Sequence, residues 1–401
     1  MGLKLTVTLL LTLIFMLPLT LAEPVQIWSY TDKCAAFSVS FNSKGYVGLA
    51  FGYDAELLSP EGKLLLKAPT RGIAYSSALS ENNVLLIGTE GSWVQAFSEP
   101  KELLWEKKLR EAVVSVSISP DGDVATAGDA AGYIYLFQNG EMKWEKKVGK
   151  YVWSVVLSGD KILAGSDTGI HILKLDGSLV WEKAFDGAVR RVAVLKNGIA
   201  VLVVPQDESW SELVLLSDDG SLIWKKHFNG YVRSISTDGE YIAAAGTTGN
   251  VTLFDSAGKL VYSTPLLSYA NDVATLDGYT VVAYGKNAEL ISPNGTVEWF
   301  ESFNGTVYHV GFSPTGYFVV DYGSHDVEDC YSVITAYSIS NRTSQAGESG
   351  GVQESEGEVP ESESNAKVPE PGSPGYSPLI AGGILAGIAL LGVLIWLQKR
   401  Q

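Results

Sequence analysis

One pattern recurs eight times along most of the chain and constrains the fold more than any other feature. Each copy places a large apolar residue, usually tryptophan, in a strand-like segment, in most copies just after a polar turn. The eight positions, called the aromatic column below, are Trp28, Leu66, Trp105, Trp144, Trp181, Trp224, Tyr262 and Trp299. They recur every 37 to 43 residues, a period typical of proteins built from stacked supersecondary units. The sequence therefore predicts a repeat protein.

A second set of positions keeps the same period. It lies ten residues after the aromatic column, at the start of another alternating apolar segment. Its members, called the polar column below, are Ser38, Ser76, Ser115, Ser154, Arg191, Ser234, Asp272 and His309. Two landmarks thus keep one offset through eight copies, which chance does not explain.

The third repeat shows what each copy builds. It contains four alternating segments, VVSVSISP at 113–120, DGDVATAG at 121–128, GYIYLF at 132–137 and EMKWEKKV at 141–148, joined by Gly, Asp and Asn turns. Such segments are typical of short β-strands, and Asn-Gly pairs favour two-residue hairpins. A four-stranded unit of about 40 residues cannot bury both of its faces alone, whereas radial stacking of such units gives a β-propeller.

The repeat count predicts an all-β, eight-bladed propeller over residues 23–340. The eighth unit begins at Thr306 but lacks an outer strand, while the segment at 25–30 places Trp28 in the aromatic column. We expect this N-terminal strand to complete the last blade, so that no sheet edge stays open there. Seven blades is the alternative, because the first and fifth repeats are less regular. The seven complete units start near Cys34, Gly72, Ala112, Tyr151, Ala188, Tyr231 and Tyr269.

The segments outside the repeats predict a membrane-anchored surface protein. Residues 1–22 are typical of a secretory signal peptide, with an uncleaved anchor as the alternative. Residues 341–377 are rich in Ser, Glu, Pro and Gly and predict a disordered acidic stalk. Residues 378–397 are uncharged and long enough for a transmembrane helix, and the basic tail at 398–401 favours the cytoplasmic side. The expected location is the cell membrane, with one span and the propeller outside.

Charge and cysteine content narrow the function further. The formal net charge of −16 argues against a nucleic-acid-binding protein, which normally carries a basic face. Cys34 follows the N-terminal strand, and Cys330 precedes the third strand of the last repeat. If the ring closes as predicted, both lie at its seam, and an extracellular location would permit a disulfide between them. Two free thiols are the alternative.

Four Asn-x-Ser/Thr sequons accompany this predicted location. They begin at Asn250, Asn294, Asn304 and Asn341, and each would be a glycosylation site in a secreted protein. At Asn294 and Asn304 a Gly follows the Asn, and an Asn-Gly pair that simply forms a hairpin turn explains these two positions equally well.

The sequence identifies no catalytic, cofactor-binding or metal-ligating residue. The four histidines are scattered, and no metal-binding spacing occurs. A Ser–His–Asp catalytic set would have to be assembled from separate blades. The stronger candidate is a binding surface one position before the polar column, where the innermost strands should approach the channel mouth. Its residues are Phe37, Tyr75, Trp153, Arg190, Arg233, Asn271 and Tyr308, with Val114 at the remaining position. Aromatic residues and Arg are enriched in binding hot spots, although packing between blades would also explain the aromatic ones.

The segments DGSLVWEK, DGSLIWKK and NGEMKWEK resemble the pyrroloquinoline-quinone-type propeller repeat over about residues 25–340. That resemblance implies the fold. The family includes eight-bladed quinoprotein dehydrogenases, which carry an adjacent Cys-Cys pair, and cofactor-free members that scaffold proteins. No adjacent cysteines occur here, so the resemblance argues against the dehydrogenase branch. WD-repeat proteins are a looser likeness, carried by the SPDG segment at 119–122.

The C-terminal segment is similar to that of archaeal surface proteins whose membrane anchor follows a Pro-Gly-Phe motif. The matching residues are Pro374, Gly375 and Tyr376. Taken together, we expect a non-enzymatic scaffold without a cofactor, binding envelope or surface proteins or a small ligand, and no nucleic acid. An extracytoplasmic quinoprotein-like oxidoreductase, an envelope-polymer hydrolase and a structural lattice protein are the alternatives.

Overall fold

The computed structural model describes residues 23–100, 102–326 and 330–339. Their strands form eight four-stranded antiparallel sheets, seven of them built from consecutive strands and the eighth from the last three strands and the first strand of the described residues. The innermost strand of each sheet contacts the innermost strand of the next, and the last contacts the first, so the sheets form a closed ring. The prediction of an all-β, eight-bladed propeller is therefore confirmed, and the seven-bladed alternative is wrong.

The strands are numbered in chain order, and each blade runs from the channel outwards. The first four blades are β2 (Ala36–Phe41), β3 (Val47–Phe51), β4 (Asp54–Leu58) and β5 (Leu64–Pro69); β6 (Ala74–Leu79), β7 (Leu85–Thr89), β8 (Trp93–Ser98) and β9 (Glu102–Lys108); β10 (Val113–Ile118), β11 (Val124–Asp129), β12 (Tyr133–Gln138) and β13 (Glu141–Lys147); and β14 (Val152–Ser158), β15 (Lys161–Ser166), β16 (Gly169–Lys174) and β17 (Leu179–Lys183).

The last four blades follow the same plan, except that the chain's first strand completes the eighth. They are β18 (Ala188–Leu195), β19 (Gly198–Val204), β20 (Ser211–Leu216) and β21 (Leu222–Phe228); β22 (Val232–Thr237), β23 (Tyr241–Gly246), β24 (Asn250–Asp255) and β25 (Leu260–Pro265); β26 (Ala270–Leu276), β27 (Tyr279–Tyr284), β28 (Asn287–Ile291) and β29 (Val297–Ser302); and β30 (Thr306–Phe312), β31 (Tyr317–Ser324), β32 (Tyr331–Ser338) and β1 (Val25–Asp32).

The ring closes through the pairing of β1 with β32. Trp28 lies opposite Ala336, and Gln26 lies opposite Tyr337, in antiparallel register. The predicted closure between the two ends of the repeat region is confirmed. Because the outermost strand of blade 8 comes from the start of the chain, the last blade cannot form until both ends of the propeller are present.

The aromatic column joins each blade to the next. A Cβ atom added at Gly62 would come within 2.5 Å of the Trp28 ring, so the ring lies directly on the turn glycine of the following blade. That glycine has a φ of +79°, which a residue with a side chain adopts only at a cost. The same contact recurs at Trp105–Gly140, Trp144–Gly177, Trp181–Gly220, Trp224–Gly258 and Tyr262–Gly295.

Hydrogen bonds strengthen several of these contacts. The indole Nε1 of Trp28 donates to the Pro60 carbonyl at 2.8 Å, and Trp181 donates to the Asp218 carbonyl at 2.7 Å. Trp144 and Trp224 make equivalent bonds to Leu175 and Ser256. These contacts are therefore blade-to-blade anchors near the rim, and four of them combine an apolar ring with a hydrogen bond.

The polar column joins the blades near the channel. The Ser115 hydroxyl accepts a hydrogen bond from the backbone N–H of Val155 in the next blade, at 3.0 Å. The Asp272 carboxylate accepts one from the N–H of Val310 at 3.2 Å. These bonds satisfy backbone donors that would otherwise be left unpaired on the innermost strands. Similar bonds join Ser38 to Ser77 and Ser154 to Val192.

Strand direction defines two faces of the ring. Innermost strands begin, and outermost strands end, at the same face, as the register from Ala36 through Phe51 and Asp54 to Pro69 shows. Val25 and Ser338 are paired at the opposite face, so both ends of the described chain leave the ring there. Within the described residues no helix is long and apolar enough to cross a bilayer. The predicted signal peptide, stalk, transmembrane helix and tail lie outside the described residues.

Candidate functional site

All eight innermost strands carry a β-bulge at the same place. In β2, for example, Ala36 pairs with Phe51 and Ser38 with Ala50, so that Phe37 is left out of the register. A bulge redirects the side chain of the extra residue. The eight bulge residues, called the mouth ring below, are Phe37, Tyr75, Val114, Trp153, Arg190, Arg233, Asn271 and Tyr308. The structure thus brings every residue of the predicted binding surface to the start of an innermost strand.

One side of the mouth ring is aromatic. The Tyr308 ring stacks on His325 with 3.5 Å between centroids. Phe37 lies 5.7 Å from His325 and 5.8 Å from Tyr75. Burial, together with the charge of nearby His309, lowers the pKa of His325 to about 4. The imidazole is therefore neutral near pH 7 and extends the aromatic surface.

The other side of the mouth ring carries arginine. The Arg190 guanidinium lies 4.6 Å from the centroid of the Trp153 ring and 5.4 Å from that of Tyr231. Its Nη1 pairs with Glu208 at 2.9 Å. Such cation–π contacts hold a guanidinium in place while its charge is retained. Tyr151 packs against Trp153 from the same blade, with 4.2 Å between ring centroids.

Arg233 is held by a relay through three blades. Its Nη1 donates to the Asn271 Oδ1 at 3.1 Å, and the Asn271 Nδ2 donates to the Val307 carbonyl at 2.8 Å. The neighbouring Arg191, in the polar column, is exposed, as is Arg233. None of the ion pairs found among the described residues involves Arg191 or Arg233.

Two long loops distinguish blades 5 and 8 on the mouth face. The other blades separate their second and third strands by two or three residues, whereas six residues of the chain separate Val204 from Ser211 in blade 5 and Ser324 from Tyr331 in blade 8. The blade 5 loop supplies Glu208, the partner of Arg190, and the blade 8 loop supplies His325 and Cys330. The sequence indicated that both segments are irregular, but not which mouth residues they contact.

A cavity of about 520 Å³ opens beside blade 5. Trp210, at the end of the long loop, lines it together with Phe185 and Leu222. Lys225 pairs there with Glu212 at 3.0 Å, and His227 packs 5.7 Å from the Trp210 ring. The sequence did not predict this groove, because it depends on the conformation of one loop rather than on the repeat.

Cys34 and Cys330 meet at the seam of the ring, although 295 residues separate them in the chain. Burial and then the neighbouring Cys34 thiol raise the pKa of Cys330 to about 11. Both are free thiols in this structure, so the disulfide stays a prediction. Gly52, with a φ of +58°, packs against Cys34 so closely that any side chain there would collide with the sulfur.

The sequons occupy different faces. Asn294 lies in the turn between β28 and β29, where its Oδ1 accepts a hydrogen bond from the Thr296 N–H at 3.0 Å. Asn304 is exposed in the connection to blade 8, and Asn250 is half-buried at the start of β24. Asn341 lies outside the described residues. Glycosylation of these sites stays a prediction.

A serine–histidine–carboxylate set occurs within one blade, contrary to the expectation that several blades would be needed. In blade 4, Ser166 Oγ lies 3.0 Å from His171 Nε2, and His171 Nδ1 lies 3.1 Å from Glu182 Oε2. Burial lowers the pKa of His171. Ser166 is fully buried, so its oxygen is closed to a substrate.

The same positions in other blades explain this set. The last residue of the second strand and the third residue of the third strand are Asp129 and Tyr135 in blade 3, joined at 2.7 Å. In blade 7 they are Tyr284 and Glu289, also hydrogen-bonded. The pair therefore braces the turn between these strands, and blade 4 fills it with residue types that resemble a catalytic set.

A second charged network lies between blades 7 and 8. His309 Nδ1 is 3.7 Å from the Asp272 carboxylate, and Asp321, which faces His309 across the strands, accepts a hydrogen bond from Ser332 at 2.8 Å. Burial raises the pKa of Asp321 to about 6, while the charge of His309 opposes the shift. Burial disfavours the charged form of His309, but the two carboxylates outweigh it and raise its pKa. No group of three or more potential ligands able to hold a metal occurs among the described residues.

Part of the repeat region is similar in sequence to a known protein family. Residues 130–266 match the sequence profile PQQ_2, described as outer membrane protein assembly factor BamB. The predicted resemblance to the pyrroloquinoline-quinone-type repeat is confirmed over that stretch. No curated protein sequence matches the chain.

Solved structures agree on the architecture. BamB from Moraxella catarrhalis superimposes with a TM-score of 0.63 at 14% identity, covering 79% of this chain and 99% of that one. Saccharomyces cerevisiae Sqt1 gives 0.65 at 11% identity, covering 78% and 99%. The computationally designed protein Ika8 gives 0.63 at 13% identity, covering 78% and 98%. At these identities the likeness concerns the fold alone.

Proposed function

We propose that this protein is a non-enzymatic, membrane-anchored scaffold of the cell surface that binds envelope or surface proteins through its mouth ring. The mouth ring carries the proposal. Eight independent bulges direct side chains to one end of the channel, and seven of the eight residues are aromatic, arginine or asparagine. Trp, Tyr and Arg dominate the binding energy of protein interfaces because they offer large contact areas with polar groups attached.

The direction of the chain supports this use of the ring. The described chain ends at the face opposite the mouth ring, beside the pairing of Val25 with Ser338. An anchor at 378–397, reached through a stalk at 341–377, would therefore attach to the far face. The mouth ring would then point away from the membrane, towards partners in the envelope or on the surface.

The family match supports a protein-binding role in the same way. The matching profile is described as an assembly factor of outer membrane proteins, and one of the similar structures is a BamB. A scaffold built on the same repeat would need a binding surface but no reactive group. The serine–histidine set of blade 4 is closed to substrates, which agrees with a non-enzymatic scaffold.

Capture of partners from membranes tests the proposal. The full-length chain, extracted in mild detergent after crosslinking, is expected to retain specific surface proteins. Replacement of Trp153, Arg190 and Arg233 by alanine is expected to lower that capture about tenfold or more, since it removes three hot-spot side chains from one surface. The measurement is quantitative mass spectrometry of the retained proteins.

The matched control removes exposed apolar side chains elsewhere. Leu222 and Ile223 on the outer strand of blade 5 are 53% and 43% exposed, and Leu260 on blade 6 is 51% exposed. Their triple alanine variant is expected to capture partners like the unaltered chain. Equal capture by both triple variants, with unchanged melting temperatures, would exclude the mouth ring as the binding surface.

A further inference from the structure

We infer that Arg190 and Arg233 of the mouth ring, together with Arg191 of the polar column, form an anion receptor, called the arginine arc below, and that its ligand is an acidic segment of a protein partner. This inference rests on the proposed function and adds the chemistry of the partner. The three residues come from the neighbouring innermost strands β18 and β22, on the side of the ring opposite the aromatic cluster of Phe37 and Tyr308.

The first argument is the state of ion pairing. Arg71 pairs with Glu106, Arg110 with Glu145, and Arg190 with Glu208. Arg191 and Arg233 are exposed and take part in none of the ion pairs found among the described residues. Carboxylates are abundant in a chain with a formal net charge of −16, yet neither of these two guanidinium groups forms an ion pair with one among the described residues, which leaves both available to an anionic ligand.

The second argument is preorganisation. A guanidinium has five N–H donors, and Arg233 uses one of them on Asn271. Asn271 is in turn fixed by the Val307 carbonyl. Arg233 is thus oriented while most of its donors stay available. Arg191 donates to the Arg190 carbonyl at 3.4 Å, and the Arg190 guanidinium is held between Trp153 and Tyr231.

The third argument is the character of the surroundings. A fork of N–H donors matches a carboxylate through two parallel hydrogen bonds. The adjoining aromatic rings offer apolar contact area to the side chains next to such a carboxylate. A peptide segment that combines Asp or Glu with aromatic residues complements both halves of the mouth ring, whereas a free inorganic anion would use only one.

A peptide titration tests the inference on the full-length chain. The probe is a fluorescein-labelled peptide, Gly-Asp-Glu-Tyr-Asp-Glu-Gly, and its control has Asn and Gln in place of Asp and Glu. Fluorescence anisotropy is expected to show roughly tenfold or tighter binding of the acidic peptide. Raising the salt from about 50 mM to about 500 mM is expected to weaken that binding, because exposed charges are screened.

Variants assign the binding to the arginine arc. The double variant R191Q/R233Q is expected to lose affinity for the acidic peptide by roughly tenfold or more. The double variant R191K/R233K keeps the charges but not the planar fork, and is expected to bind with intermediate affinity. R110Q removes an arginine that is already paired with Glu145 and is expected to bind like the unaltered chain.

Three results would overturn the inference. The first is equal peptide affinity in R191Q/R233Q and the unaltered chain. The second is displacement of the peptide by inorganic phosphate at equal concentration, which would indicate a general anion site. The third is tighter binding after the seven glutamates of 348–370 are changed to Gln, which would make the chain's own acidic segment the occupant.

The membrane capture experiment separates this inference from the proposed function. Partners that are retained equally by R191Q/R233Q and by the unaltered chain, but lost from the Trp153/Arg190/Arg233 alanine variant, would leave the scaffold standing and remove its preference for acidic segments. If the unaltered chain captured no specific partner at all, that result would contradict the proposed scaffold function itself.

Discussion

Asp321 shows how burial changes the chemistry of a single residue in a regular fold. It lies on β31 with no exposed surface, and its neighbours are the Ser332 hydroxyl and the half-buried His309. Burial raises the pKa of Asp321 to about 6, and burial raises that of Glu56, at the junction of blades 8 and 1, to about 8. Both carboxyl groups hold protons more tightly in the folded chain than in the unfolded one.

The sign of the resulting pH dependence follows from these shifts. Below about pH 4 the Asp321 carboxyl is protonated in both states. Between pH 4 and about 6 the unfolded chain ionises first, so the free energy of unfolding falls as pH rises, by at most about 3 kcal/mol. His309 acts in the same direction, because its raised pKa gives stability that is lost as pH rises through its folded-state value.

We therefore expect Asp321→Asn to flatten the loss of stability between about pH 4 and pH 7. An amide can still accept the hydrogen bond from Ser332, while it removes the buried charge. Denaturant unfolding at a series of pH values measures the effect. Asp121→Asn, in an exposed turn where hydrogen bonds lower the pKa, is the control. A pH profile for D321N parallel to that of the unaltered chain would contradict the assignment.

At the scale of strands and turns, the blades depend on rim anchors that repeat with the sequence. Six rings of the aromatic column lie on a turn of the next blade, and each of these turns contains a glycine with positive φ. Trp28 makes this contact across the closing seam and is 9% exposed. Loss of its ring leaves a cavity and leaves the Pro60 carbonyl without the hydrogen bond from the indole Nε1.

Trp28→Ala is accordingly expected to destabilise the propeller by about 3–5 kcal/mol, with the loss seen as a lower urea midpoint. Trp28→Phe, which keeps an aromatic ring but lacks the indole N–H, is expected to lower the stability of the propeller by a smaller amount. The matched control is Trp210→Ala, because Trp210 is half-buried, lines an open cavity and lies outside the aromatic column. Equal losses for W28A and W210A would show that the anchor position has no special weight.

The period of the sequence predicted most of this architecture, but it did not predict the segments in which the repeats differ from one another. The ten-residue offset between Trp28 and Ser38 was enough to predict the closing strand, because two landmarks fixed its register. The same offset located the mouth ring but could not reveal that its members are bulge residues. The contacts of His325 and Glu208 were missed because both residues lie where blades 8 and 5 carry extra residues between their second and third strands, and these extra residues do not recur with the repeat.

For the molecule as a whole, the closure of the ring depends on the seam between blades 8 and 1. It joins residues from the two ends of the repeat region through β1, β32 and the neighbouring thiols of Cys34 and Cys330. A ring that opens there would lose the pairing of β1 with β32. A covalent bond at this place would keep the two ends together even in the unfolded chain.

We expect Cys34 and Cys330 to form a disulfide in an oxidising compartment, with loss of two thiol protons and two electrons to a disulfide of an oxidising partner. Alkylation without reductant should leave both cysteines unmodified, and alkylation after reduction should add two groups by mass spectrometry. On the chain-entropy view the bond contributes up to roughly 5 kcal/mol, so Cys34→Ser should lower the melting temperature. Double alkylation without reductant would show free thiols instead.

The register of β1 has a consequence for how the protein is made. The strand that is synthesised before all other strands of the ring is the one that must wait longest, because its partner β32 emerges only after seven complete blades. Throughout that interval β1, which contains Trp28, has no strand partner. We expect a chaperone that covers exposed apolar strands to bind the chain mainly during this interval.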